Sequence, residues 1–134
     1  MSIYDTYGVK EFSLDEVQKQ LEKLLEIKFE LRYSSYKGDY CLFRRNNKEK
    51  YEIVNNYTEE EGWVLDERKD ISVILDVSNA PQPNELRKLL LSKINNALFI
   101  ERIVITENSE GKWKETYHYI DGKDILIQQR KTIR

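Results

Sequence analysis

The side chains able to do chemistry are few and scattered. The chain has one cysteine, Cys41, and one histidine, His118. A thiol beside an imidazole makes a cysteine nucleophile, because the ring nitrogen takes the thiol proton, but these two fall in different predicted strands. Cys41 reads as a small core residue, and His118, between Tyr117 and Tyr119, as an exposed or hydrogen-bonded ring. The same two residues exhaust the soft and imidazole metal ligands, so no metal site is expected. Carboxylates are plentiful, yet spacing singles out no acid and base pair. The densest group, Glu59-Glu60-Glu61, lies in a stretch without periodicity, where like charges stay hydrated. The five glycines are scattered and build no phosphate cradle. Neither a catalytic residue nor a cofactor is expected, and the chain does not read as an enzyme.

Tyrosine stands out, with nine in 134 residues, grouped as Tyr33, Tyr36 and Tyr40 and again as Tyr117 and Tyr119. Tyrosine gives a large amphipathic contact area with little rotamer entropy to lose, and beside Ser, Gly and Asp it has the composition of a binding loop. The same residues also favour half-buried strands with no partner at all. Both readings stay open for Tyr36 and Tyr40, whereas Tyr33 and Tyr51 read as structural.

The elements that must position these residues follow from periodicity. After a short polar lead, Ser13 and Glu16 have the spacing of a capping box, and Phe12 can staple onto Val17. Leu14, Val17, Leu21, Leu24 and Leu25 then mark one apolar face of a first helix. Ile27, Phe29, Leu31 and Tyr33 alternate with charged residues as a half-buried strand. A turn at Ser34–Asp39 leads to a second strand at Tyr40–Arg44 and a third at Tyr51–Val54. Their links are too short for a parallel crossover, so the three form an antiparallel meander. Residues 55–70 read as a long loop. Ile71–Val77, nearly continuous in apolar residues, reads as a central strand covered on both faces.

Asn79-Ala80-Pro81-Gln82-Pro83 breaks the sheet, and Asn84 is the expected cap of a second helix striped by Leu86, Leu89, Leu90 and Ile94. Strands follow at Leu98–Thr106, at Trp113–Ile120 and, after the hairpin signal Asp121-Gly122, at Ile125–Ile127, leaving a basic end at Arg130–Arg134. The expected fold is a single α+β domain over 1–134, ordered α-β-β-β-β-α-β-β-β. Its mostly antiparallel twisted sheet of about seven strands has two helices packed on one face.

Composition bounds the partners. The net charge of −2 gives no global attraction to phosphates. Arg44-Arg45 with Tyr40 and Phe43, and the basic end, are only modest versions of a nucleic-acid surface. A single cysteine, the absence of a signal-like start and the absence of a long apolar run predict a cytoplasmic protein that does not enter the membrane.

The run Ile27-x-Phe29-Glu30-x-Arg32-x-Ser34-Ser35-Tyr36-x-Gly38-x-Tyr40, after a Leu-rich amphipathic helix, resembles a pattern in small bacterial immunity-type proteins of polymorphic and contact-dependent growth inhibition toxin systems. The resemblance covers Leu14 to Asn55 best. It implies an antitoxin-like binding protein that neutralises a cognate toxin domain, such as a basic nuclease, by stoichiometric occlusion. On that reading Glu59, Glu60 and Glu61 would steer the partner, Tyr36, Tyr40 and Trp63 would anchor it, and Arg32 and Asp39 would fix its orientation. The competing class is a small regulatory or phage-type adaptor that binds a host protein or nucleic acid.

Overall fold

The chain opens with a strand, not with a polar lead into a helix. In the computed structural model, which describes residues 1–133, β1 (Ser2–Lys10) precedes α1 (Leu14–Leu25). The capping box that begins α1 is present in full. The Ser13 hydroxyl accepts from the Glu16 backbone N–H and the Glu16 carboxylate accepts from the Ser13 N–H, so two otherwise unpaired backbone donors are satisfied. Glu26, at φ 54°, ends the helix.

The meander follows as β2 (Glu30–Ser34), β3 (Gly38–Arg45) and β4 (Glu49–Asn55), antiparallel throughout. Ile27 and Phe29 are buried as their spacing requires, but Leu31 and Tyr33 stay exposed, because β2 is the outermost strand. The segment read as a loop contains a small hairpin, β5 (Tyr57–Thr58) with β6 (Gly62–Trp63). β7 (Ile71–Ser78) is central, and its apolar residues enter two separate clusters on opposite faces.

The second helix, α2 (Pro83–Lys93), is not capped by Asn84. Its N-cap is Gln82, with Pro83 leading the first turn, while the Asn84 side chain accepts from Arg102 at 2.7 Å. Proline has no N–H to satisfy at that position, so the helix starts before the polar residue that marked it.

The last strands are longer than their apolar residues suggested: β8 (Ala97–Asn108), β9 (Gly111–Ile120) and β10 (Lys123–Ile133). The Asp121-Gly122 turn has positive φ at both positions, 52° and 76°, as a two-residue hairpin of this type needs. Residues 130–133, expected as a basic end, continue β10 and pair with β9; Arg134 lies outside the described residues.

The fold is therefore α+β with an eight-stranded antiparallel sheet, in the order β10-β9-β8-β1-β7-β4-β3-β2, and a separate two-stranded ribbon. The expectation of about seven strands in one series is corrected to ten among the described residues, beginning with β1. Both helices lie on one face, where Leu14, Val17, Leu21, Leu90 and Ile94 meet Tyr7, Cys41, Ile53, Leu75 and Phe99. On the other face Leu65, from the segment after β6, covers Val54, Ile71 and Ile74.

Candidate partner-binding surface

The β2–β3 turn separates the two tyrosines that the sequence left undecided. Ser34 and Gly38 are registered partners, the Lys37 N–H donates to the Ser34 hydroxyl at 2.9 Å, and Gly38 turns the chain at φ 68°. Tyr36 projects from this turn, 75% exposed. Tyr40 is half-buried, packed beside Val54 and Ile74, with the Lys37 ammonium 4.7 Å from its ring centre. That ammonium also meets Glu52, at 3.0 Å, so Lys37 ties the turn down onto the sheet. Arg32, opposite Tyr40, donates to Glu30 at 2.8 Å. The Glu30 carboxylate, helped by Tyr40, keeps the Arg32 guanidinium above its ordinary pKa. Asp39 is exposed, opposite Tyr33.

The acidic cluster sits at the tip of the small hairpin. Tyr57 and Trp63 face each other with ring centres 4.9 Å apart, and Lys69 lies 5.8 Å from the Trp63 ring, so Trp63 is half-buried as the base of this unit. Glu59, Glu60 and Glu61 are exposed above it, and the Glu61 N–H donates to the Thr58 hydroxyl. Asn56 holds the whole segment in place. Its fully buried amide donates to the Arg68 and Ile71 carbonyls at 3.0 and 2.9 Å and accepts from the Leu65 N–H at 2.7 Å.

The two turns are neighbours. A Cβ added at Gly38 would stand 3.5 Å from the Thr58 methyl, so the end of the Tyr36 turn lies next to the strand that leads into the Glu59–Glu61 tip. Of the expected binding residues, Tyr36 and the three glutamates are exposed at these two neighbouring turns, and Asp39 is exposed beside Tyr33 on the helix side of the sheet. Tyr40 and Trp63 support the turns from below, and Arg32 lies behind them on the β2 edge.

Two arrangements were not anticipated. On the face away from the helices, Glu52, Asp76, Thr6, Glu101 and His118 occupy one registered row across five strands. Burial raises the Asp76 carboxyl, although Thr6 donates to it at 3.1 Å, and His118 stands 3.4 Å from Glu101. Part of this row floors a recess of about 760 Å³ walled by Val64–Arg68. On the helix face Arg102 donates twice to the buried Asp5, at 2.7 and 2.9 Å. There Arg87 is stacked 4.6 Å from Phe99 and 4.3 Å from Tyr119 while pairing with Asp124. The charged Arg102 inside an apolar strand was the one signal of this network; its partner lay in a segment not read as a strand.

Cys41 and His118 do not meet. Cys41 is on the helix face, where its thiol donates to Gln18 at 3.5 Å and burial pushes its pKa up to about 11, whereas His118 is on the opposite face. Among the described residues no three His, Cys, Asp or Glu side chains form a group that could hold a metal ion, and no helix is long and apolar enough to cross a membrane. No protein-family model and no curated protein matches the sequence.

Proposed function

We propose that this chain is an immunity-type protein, acting in the cytoplasm, that binds a toxin domain encoded beside it and blocks that domain one-to-one. The observation that carries this reading is the nearness of Gly38 to Thr58, which sets the turn with the exposed Tyr36 beside the tip with three exposed carboxylates. A projecting aromatic beside an acidic rim suits a basic protein partner, for which a toxin nuclease domain is the natural candidate. The carboxylates raise the encounter rate, and the tyrosine supplies desolvated contact area once the complex forms. Tyr40 and Lys37 stiffen the turn from beneath, and Trp63 stiffens the acidic tip, so little order has to be gained on binding. The resemblance of the Ile27–Tyr40 run to immunity-type proteins points to the same class.

The test is to express the C-terminal domain of the protein encoded next to this one, with and without this chain. The reading expects growth arrest that co-expression relieves and a one-to-one complex on isolation. A neighbouring domain that is neither toxic nor bound would overturn it. The adaptor reading would then be tested by electrophoretic shift of nucleic acid at moderate salt.

A further inference from the structure

We infer that β2 is a contact between two copies of this chain, each β2 pairing antiparallel with the other about a two-fold axis through Leu31. β2 is an outer strand of the eight-stranded sheet, so one side of its backbone has no strand beside it. Such an edge is a template for another strand unless something blunts it. Glu30–Ser34 contains neither proline nor glycine and pairs with β3 without a bulge. The opposite edge, β10, breaks register between Leu126 and Gln128, and bulges of that kind turn an edge away from pairing.

The side chains of β2 choose the occupant. Leu31 is 62% exposed and Tyr33 72%, both on the helix side of the sheet, since Leu31 is registered with the buried Cys41. Glu30 and Arg32 alternate onto the other side. Centring the antiparallel pair on Leu31 sets Leu31 against Leu31 and brings Tyr33 against Phe29, the last core residue before the strand. It also sets Arg32 against Glu30 of the second copy, twice. Moving the centre to Glu30 or Arg32 would oppose identical charges, and a half-step in either direction would set charge against leucine. The strand is thus complementary to itself in this register, which argues for a second copy over an unrelated strand. In the monomer Arg32 and Glu30 satisfy each other within the strand, with much of both side chains in solvent, so exchanging partners requires little desolvation.

In this dimer Arg32 belongs to the contact between copies. The two Tyr36 turns lie at opposite ends of the paired strands, free for the partner proposed above, and the inference does not depend on what that partner is. The contact is short and belongs with small, weak interfaces, so association should depend on concentration.

Sedimentation of the full chain tests it with E30R and R32E, alone and mixed. The wild type is expected to approach twice its monomer mass as concentration rises. Each variant faces two like-charge pairs across the axis and should associate about tenfold more weakly or worse. An equimolar mixture should recover association, because the arginine-bearing strand then faces the glutamate-bearing one at both positions. That recovery also shows that both variants are folded. A wild type that stays monomeric at its highest soluble concentration would overturn the inference. So would variants that associate as the wild type does, or a mixture that associates no better than its components.

Discussion

Asn56 does more for the candidate surface than any residue that the sequence singled out. Its side chain satisfies two carbonyls and one N–H in a site closed to water. Replacing it with alanine leaves the Leu65 N–H without its acceptor and takes one donor from each carbonyl, of which that of Arg68 keeps the Ile71 N–H at 3.1 Å, at about 1–3 kcal/mol for the N–H and less for the carbonyls. Asn56→Ala is therefore expected to lower the unfolding free energy by about 3 kcal/mol in denaturant titration and to increase proteolysis within 56–70. Nothing in the sequence distinguishes Asn56 from Asn55, because its partners are backbone groups that only the fold delivers. Asp76 was equally hidden inside an apolar strand. Burial holds its folded pKa above the unfolded value, so its contribution favours the folded state at acid pH and is lost as pH rises from the ordinary carboxylate range through the raised pKa. Asp76→Asn can still accept from Thr6 without a charge. It should stabilise the protein at pH 7 relative to wild type, with the gain shrinking as pH falls; equal stability at both ends would contradict this assignment.

At the scale of elements, α1 was legible because its signals are local. Ser13, Glu16 and the apolar stripe need nothing from the rest of the chain, and Ser13→Ala should cost about 1 kcal/mol in thermal or denaturant unfolding. The Asp121-Gly122 hairpin was legible for the same reason: the turn chemistry is in the two residues themselves. β1 was not legible. Its buried face carries Asp5 in line with Tyr7 and Val9, and an aspartate at an interior position breaks the alternation by which strands are recognised. β10 failed in the opposite way. All of its described residues are exposed, so its polar end looks like a tail until the ladder with β9 is seen.

For the whole molecule, the class and the placement of both helices on one face could be read from the sequence, but the strand order could not. The sheet is completed by the first strand inserting between β7 and β8, a pairing between residues far apart in sequence that no local pattern encodes. The Asp5–Arg102 pair, with Asn84 of α2 on the same guanidinium, locks that insertion. Asp5→Ala would leave Arg102 buried and uncompensated and should destabilise by about 3–5 kcal/mol, while the apolar double replacement Asp5→Leu with Arg102→Met should cost less than the single change. Unfolding titrations of the three proteins decide this, and a double variant weaker than the single would contradict the buried-charge account. The candidate surface was legible in its residues and not in its assembly. Tyr36 and the glutamates were marked by type, but the neighbouring placement of their turns depends on the hairpin inside residues 55–70.

The most direct test of that surface is hydrogen exchange of this chain with and without the partner proposed for it, the C-terminal domain of the protein encoded next to this one. The account predicts slowed exchange confined to the two neighbouring tips, residues 34–40 and 57–63, and its loss when Tyr36→Ala is combined with glutamine at Glu59, Glu60 and Glu61. Protection on the recess beneath Val64–Arg68, or on the helix face with both tips unchanged, would contradict it.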